Sequence, residues 1–444
     1  MDTGTLRRIV EDQHDEFERM MREEKIVERE GQEVARGFLA HPNILVVLGV
    51  RRCGKSVFSH LVSRGRVFGY VNFEDERLAG FGTSDFEPLL EAFYGLYGGE
   101  LCWFVFDEIQ DVRGWESFAA RLRVNNRMII TGSNSRLLSS DASSALTGRH
   151  IDHTLFPFSF GEALAYQGVG ARPLRTRDIG VVKKQIVEYL RMGGFPEAYR
   201  FGKRMVRGIY DDIVEKDVRA RFGVRKQKEL RDLARYLVTV FAGEVSYNKL
   251  KNVFGLNMET VKNYTEYLRS AYLVFFVDKF SYKLKQQFQT PRKVYCVDNG
   301  MIETIAFRVF EDAGRYMENC VAVQLLRQKF NEPRMEVFYW KDYQQHEVDF
   351  VVMRGARVAQ LLQVTYASGR DEVEMREIRS MEKASRELGC RDMVMVTWDL
   401  EDKLPVQKGE IRCVPLWKWL LGAHEDGRST APFLGQHDLV SMPS

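Results

Sequence analysis

The sequence predicts an α/β protein: a parallel sheet with a phosphate-binding loop and a helical lid, then a winged helix-turn-helix, then a second α/β region built around a hairpin. Three observations lead there. Between about residues 36 and 165 the apolar runs NILVVLG, VFGYVNF, LCWFVFDE and RMIITGS alternate with polar helical stretches. Continuous apolar runs of this kind are strands buried on both faces, as in a parallel sheet covered by helices. The first run leads into GVRRCGKS, which matches G-x-x-x-x-G-K-[ST]. Far downstream, EVDFVVMRGARVAQLLQVTY sets acid-x-acid on one apolar run and a second run after a short turn.

In chain order, residues 1–35 are highly charged, with Leu6, Ile9, Val10, Phe17, Met20 and Met21 at roughly helical spacing, an amphipathic helix that docks on a core. Residues 36–165 form the sheet with its phosphate loop. Residues 166–229 read as a helical lid leading into a basic helix, Arg219, Arg221, Arg225, Lys226, Lys228, Arg231 and Arg235, whose last two residues fall in the next module. Residues 230–300 hold the winged module and 301–423 the second α/β domain. Residues 424–444 lack periodicity and are expected to be a flexible tail.

Bulk properties narrow the classes. A chain of 444 residues needs more than one core. The formal net charge is only +3, so a nucleic-acid partner needs local patches. The six cysteines form no C-x-x-C pair, which points away from zinc or a disulfide framework and toward a reducing cytoplasm. The charged N-terminus has no signal-peptide pattern, and no apolar run reaches the ~20 residues of a membrane span.

The phosphate loop carries the chemistry. Gly49, Val50, Arg51, Arg52, Cys53, Gly54, Lys55, Ser56 and Val57 are the expected nucleotide cradle. The glycines let the backbone wrap so that N–H groups meet phosphate oxygens at a helix N-terminus. Lys55 would reach the β- and γ-phosphates, and Ser56 would ligate Mg²⁺. The run Leu101–Phe106 ends in Asp107-Glu108. A carboxylate at a buried strand end needs a cation, so Asp107 is the second Mg²⁺ residue and Glu108 the general base for water. After Arg127–Thr131, either Ser133 or Asn134 would sense the γ-phosphate. Arg149, in LTGRH, is the candidate arginine finger for its own or a neighbouring subunit.

GVRRCGKS, YVNFEDERL, WFVFDEIQDV, IITGSNSRLLS, LTGRH and FPFSFGEAL, with GGFPEAY at 193–199, resemble the AAA-type P-loop ATPases that join an AAA_14 domain to a DUF4143 C-terminal region. The similarity runs over about residues 36–420. It implies a prokaryotic nucleotide-binding protein of P-loop NTPase fold.

In the middle module Ser246 is an N-cap for Tyr247–Phe254, Gly255-Leu256-Asn257 makes a turn, and Met258–Ala271 is the recognition helix. Its polar face carries Thr260, Lys262, Asn263, Thr265, Glu266 and Arg269. Lys279, Lys283, Lys285, Arg292 and Lys293 belong to a basic wing loop. Lys262, Arg269, Lys283 and Lys285 are the expected contacts to duplex DNA.

The helix, strand, hairpin order of the last domain resembles PD-(D/E)xK nucleases. Glu318 matches the helix acid and Asp349 the strand acid, but Gln363 stands where the second acid belongs and Thr365 where the lysine belongs. A neutral amide is a weak Mg²⁺ ligand and a threonine carries no charge, so the nuclease-like site is degenerate. Glu347 shares the face of Asp349, and a lysine from elsewhere, such as Lys341, is the candidate replacement. The expected function is an ATP- and Mg²⁺-dependent ATPase, slow or partner-stimulated, that rearranges its winged-helix and nuclease-like region. A nucleotide-regulated DNA-binding protein of mobile-element or defence biology and an ATP-gated nuclease are the alternatives. Partners could also include another protein, or a second copy through the ATPase domain.

Overall fold

The computed structural model describes residues 1–41, 43–138, 146, 148–170, 175–306, 312–407 and 409–422. The expected tail at 424–444 and Thr147 of LTGRH lie outside them. The chain divides into two compact units, Met1–Pro157 with Ser270–Tyr272, and Phe158–Arg269 with Leu273–Ser444.

The first unit is built on five parallel strands: β1 (Ile44–Gly49), β2 (Gly69–Asn72), β3 (Trp103–Asp107), β4 (Arg127–Gly132) and β5 (His150–Leu155), in the order β2-β3-β4-β1-β5. All six residues of β1 are buried, as a central strand with helices on both faces requires. The N-terminal helix Thr3–Glu23 starts at Asp2, whose carboxylate accepts from Thr5 N–H at 2.9 Å. It buries Leu6, Ile9, Val10 and Phe17, while Met20 and Met21 are half-buried. Its buried Gln13 meets the edge strand β2: the Asn72 N–H donates to Gln13 Oε1 at 2.8 Å, and Gln13 Nε2 donates to Asn72 O at 3.1 Å. An exposed edge with unpaired main-chain groups is thereby covered.

Nine further strands form one sheet in the second unit: β6 (Gly243–Val245), β7 (Val274–Lys279), β8 (Arg292–Cys296), β9 (Met335–Lys341), β10 (Glu347–Arg354), β11 (Arg357–Val364), β12 (Met393–Thr397), β13 (Asp402–Val406) and β14 (Gly409–Pro415). Their order is β13-β14-β12-β11-β10-β9-β7-β8-β6. β7 pairs in parallel with β9, Asp278 opposite Phe338, so the boundary expected near residue 300 crosses an unbroken sheet. The hairpin β10–β11 is antiparallel, with Phe350 opposite Leu362 and a turn at Gly355. Phe160, Leu164, Val182, Ile186 and Leu190, from the helices expected to act as a lid, share one core with Tyr295, Met317, Phe350 and Leu362 of this unit.

Phe158–Leu164 of FPFSFGEAL and the segment GGFPEAY meet in this unit. Ser159 and Glu162 form a capping box at the helix Phe160–Gln167. The Phe158 N–H donates to Gly194 O at 2.6 Å, and the Gly194 N–H donates to Asp298 Oδ2 at 2.6 Å. A Cβ on Gly193 (φ 75°) would lie 2.0 Å from Asp298 Oδ1, and one on Gly194 2.2 Å from Phe158 O. Both glycines are required by close approach, and Gly193 also by its left-handed backbone.

Candidate nucleotide site and a buried carboxylate cluster

The loop after β1 turns through two left-handed residues, Arg52 (φ 64°) and Gly54 (φ 96°), before the helix Lys55–Ser63 begins. A Cβ on Gly49 would lie 2.1 Å from Leu155 O, so only glycine lets β1 leave the sheet beside β5. Arg29, buried among the residues before β1, donates from its guanidinium to Cys53 O at 2.9 Å and Phe156 O at 2.7 Å. It thus ties the loop backbone to the end of β5. Arg51 pairs with Glu74 at 2.7 Å.

Parallel pairing aligns the C-terminal ends of β1, β3 and β4, and the polar residues collect there. Ser56 Oγ donates to Asp107 Oδ2 at 2.6 Å, and Tyr70 O–H reaches the same oxygen at 3.0 Å. Thr131 Oγ1 donates to Asp107 Oδ1 and accepts from the Glu108 N–H at 3.0 Å. Glu108 itself has a left-handed backbone (φ 53°), a strained conformation for a non-glycine residue that turns its carboxylate onto the loop. Its Oε1 lies 3.1 Å from Lys55 Nζ, and its Oε2 accepts from Gln110 Nε2 at 2.8 Å and from the Ser133 N–H at 3.1 Å.

The charges respond to this packing. Burial opposes the charge on Lys55, but Glu108 and Asp107 leave its pKa above the ordinary lysine value. Burial likewise opposes ionisation of Glu108, and Lys55 outweighs it, so Glu108 sits below the usual glutamate range. Asp107 is pushed up by burial and by the neighbouring Glu108, against the donors Ser56, Thr131 and Tyr70. Two hard oxygens, Ser56 Oγ and Asp107 Oδ2, stand side by side under a glycine-built loop with Lys55 at its base. This donor set fits a nucleotide phosphate with Mg²⁺. Tyr70, Thr131, Gln110 and Arg29 escape sequence reading, because no local pattern marks a residue that reaches the site across neighbouring strands.

The remaining candidates of this unit separate. Asn134 is buried, 2% exposed, past the end of β4, while the backbone N–H of Ser133 is what touches Glu108. Arg149 is exposed at the start of β5, where its carbonyl accepts from the Ile44 N–H at 3.1 Å. That is the opposite end of β1 from the loop, about 16 Å away along five residues of strand. Arg149 therefore lies away from the phosphate loop of its own chain, and the expectation that it acts there in cis is not met.

In the second unit, where a helix-turn-helix is expected at 246–271, the chain forms two helices, Tyr247–Phe254 and Met258–Ser270, with Ser246 accepting from the Lys249 N–H at 3.2 Å. Three assignments change. Thr265 is only 2% exposed and leaves the polar face. The wing loop contains the short helix Leu284–Gln289. Lys293 is buried and takes no part in a basic surface, and Arg292 lies 4.4 Å from the Phe276 ring centroid and 4.7 Å from that of Tyr247. Arg269 pairs with Glu266 at 2.6 Å, while Lys262, Lys283 and Lys285 are exposed.

Glu318, Asp349, Gln363 and Thr365 do come together, and Lys293 joins them from β8. Its Nζ lies 2.9 Å from Asp349 Oδ1, 3.0 Å from Glu318 Oε1 and 2.7 Å from Glu347 Oε1. Lys341 reaches only the outer oxygen of Glu347, at 3.0 Å, and Glu244. Gln363 Oε1 accepts from the Asp349 N–H at 3.3 Å, and Gln363 Nε2 faces Glu377 Oε1 at 3.4 Å. Glu377, on the helix Met375–Leu388, is a member that sequence reading missed. Burial, then Asp349, pushes its pKa up to about 7 despite donation from Thr365 and Gln363. Burial and Asp349 likewise push Glu318 up to about 7, against Lys293 and Tyr295. Among the described residues, no group of three or more His, Cys, Asp or Glu side chains is placed to hold a metal ion, and no helix is long and apolar enough to cross a membrane.

Comparison with known proteins adds three family matches: an AAA domain (AAA_14) over residues 41–164, a domain of unknown function (DUF8612) over 183–310, and another (DUF4143) over 313–419. An uncharacterized protein of Methanocaldococcus jannaschii is 32% identical over 402 residues, 86% of this chain and 89% of that protein. One from Haemophilus influenzae is 29% identical over 308 residues, 65% of this chain and 75% of that protein. Among solved structures, a Walker-type ATPase of Pyrococcus abyssi aligns with a TM-score of 0.45 at 15% identity, over 63% of this chain and 96% of its own. The ORC1 protein of Aeropyrum pernix, in complex with DNA, aligns with a TM-score of 0.31 at 14% identity, over 63% of this chain and 92% of its own.

Proposed function

This chain belongs to the family of AAA-type P-loop ATPases that join an AAA_14 domain to a DUF4143 region, and from that premise we propose that it binds ATP with Mg²⁺ at Gly49–Ser56 and hydrolyses it slowly to rearrange its C-terminal region. The observation that carries the reading is the meeting of Lys55, Ser56, Asp107 and Glu108 at one end of the sheet, with Ser56 Oγ 2.6 Å from Asp107 and Lys55 Nζ 3.1 Å from Glu108.

In this mechanism the loop backbone and Lys55 hold the β- and γ-phosphates. Ser56 and Asp107 would hold Mg²⁺, which when bound supplies positive charge to the phosphate oxygens. Tyr70 and Thr131 keep the Asp107 carboxylate oriented toward Ser56. ATP replaces Glu108 as the anionic partner of Lys55. Glu108, kept ionised and aimed by Gln110 and the Ser133 N–H, then takes a proton from the attacking water as the γ-phosphate is released. The C-terminal region, read as a winged helix joined to a degenerate nuclease-like domain, is what turnover moves.

Replacing Glu108 by Gln tests the reading. Nucleotide binding, followed with a fluorescent ATP analogue, should persist while turnover drops by roughly 10²- to 10⁴-fold, the range of a general base. Unchanged turnover removes Glu108 from that role, and a wild-type protein that does not bind ATP ends the reading.

A further inference from the structure

The carboxylate cluster of the second unit has a built-in cation. Lys293 is 3% exposed, and its ammonium offers three N–H donors. It has three carboxylate partners: Asp349 and Glu347 from β10, and Glu318 from the helix Ala313–Asn331, all within 3.0 Å. Burial opposes the charge on Lys293, yet Asp349, Glu318 and Glu347 hold its pKa well above the ordinary lysine value. The outer shell is also filled. Tyr295 O–H donates to Glu318 Oε1 at 2.7 Å, and the Val364 N–H donates to Asp349 Oδ2 at 3.0 Å. Gln363, in the place of a second metal-binding acid, turns its carbonyl to the Asp349 backbone.

These residues do not fit the divalent ion that the nuclease-like pattern implies. Mg²⁺ needs oxygens at about 2.0–2.1 Å around a single centre, and Lys293 Nζ stands at the point where the three carboxylates converge. A second cation there would meet the ammonium across a few ångströms of buried space, where like charges repel strongly. Displacing Lys293 would leave its side chain without a partner in the core.

We propose that Lys293 permanently replaces the metal of this site, so that the second unit takes up no divalent cation there and cleaves no phosphodiester. The cluster is then an internal ionic staple that joins β8, β10 and the helix Ala313–Asn331. The proposal is independent of ATP binding in the first unit.

The test uses the full-length protein without nucleotide, with Mn²⁺ binding followed by electron paramagnetic resonance. Wild type and Asp349→Asn should bind the same amount of Mn²⁺. Lys293→Met should gain one Mn²⁺ per chain, and Lys293→Met combined with Asp349→Asn should lose it again. Because Lys293→Met can fail to fold, reductive methylation of wild-type lysines, mapped by mass spectrometry, gives a second reading: Lys293 should stay unmodified with or without Mn²⁺. The proposal is overturned by Asp349-dependent Mn²⁺ binding or plasmid nicking in the wild type. It is equally overturned by Lys293 becoming reactive when Mn²⁺ is added, or by a folded Lys293→Met protein that gains no Asp349-dependent site.

Discussion

Lys55 Nζ and Glu108 Oε1 lie 3.1 Å apart beneath the phosphate loop, each the charge partner of the other. Both side chains are nearly buried, 5% and 13% exposed, so neither can lose its partner cheaply. The base that would activate water and the lysine that would hold the phosphate therefore neutralise each other until an anionic ligand competes for Lys55.

Lys55→Ala removes the phosphate contact and strands Glu108. ATP affinity measured by calorimetry should fall ~10- to 100-fold, the loss expected for a charged hydrogen bond. Lys55→Ala combined with Glu108→Gln should recover thermal stability relative to Lys55→Ala alone, without recovering affinity, because the stranded carboxylate is gone.

Tyr70→Phe deletes one of the donors to Asp107 Oδ2. The Mg²⁺ concentration giving half-maximal turnover should rise several-fold, while the affinity for Mg²⁺-free nucleotide stays near the wild-type value. A titration in which both change equally would place Tyr70 in general packing instead.

Arg29→Ala withdraws the charged donor from the carbonyls of Cys53 and Phe156. Each such bond contributes about 1.5–3 kcal/mol. ATP affinity should drop ~10-fold, with a lower melting temperature. Arg29→Lys, which keeps the charge but not the fork that serves both carbonyls, should recover only part of the affinity.

Stability of the second unit should fall as pH rises from about 5 to about 7. Glu318 and Glu377 move from an ordinary 4.5 to about 7, and Asp298 from 3.8 to about 6, each mainly through burial. The folded protein then holds protons that the unfolded chain has released, so unfolding is favoured progressively across this window and no further above it. In the first unit His60, lowered mainly by burial, acts in the opposite sense. Differential scanning calorimetry of wild type and Glu377→Gln isolates one term: the difference in melting temperature between pH 5 and pH 7.5 should shrink in the variant.

Much of the candidate nucleotide site was legible because its pieces are local. Eight consecutive residues dictate a loop, and an apolar run ending in Asp107-Glu108 dictates a strand with acids at its tip. The N-terminal helix could be read in the same way from Leu6, Ile9, Val10 and Phe17. Arg149 shows the limit: its position in the chain says nothing of which end of the sheet it occupies, and parallel pairing with Ile44 puts it at the far one.

The hairpin at 347–366 divides the two kinds of knowledge most clearly. The sequence by itself placed Asp349 on a strand and showed that Gln363 and Thr365 lack the charges that a resemblance to PD-(D/E)xK nucleases calls for. Only the tertiary structure decided that the charge is Lys293, 56 residues earlier, rather than Lys341, and that Glu377 closes the other side. The physical reason is the strand order β10-β9-β7-β8. A lysine read as part of an exposed wing lies on β8, with β7 and β9 between it and β10 in that order, so nothing local in the chain reveals that folding buries its ammonium 2.9 Å from Asp349.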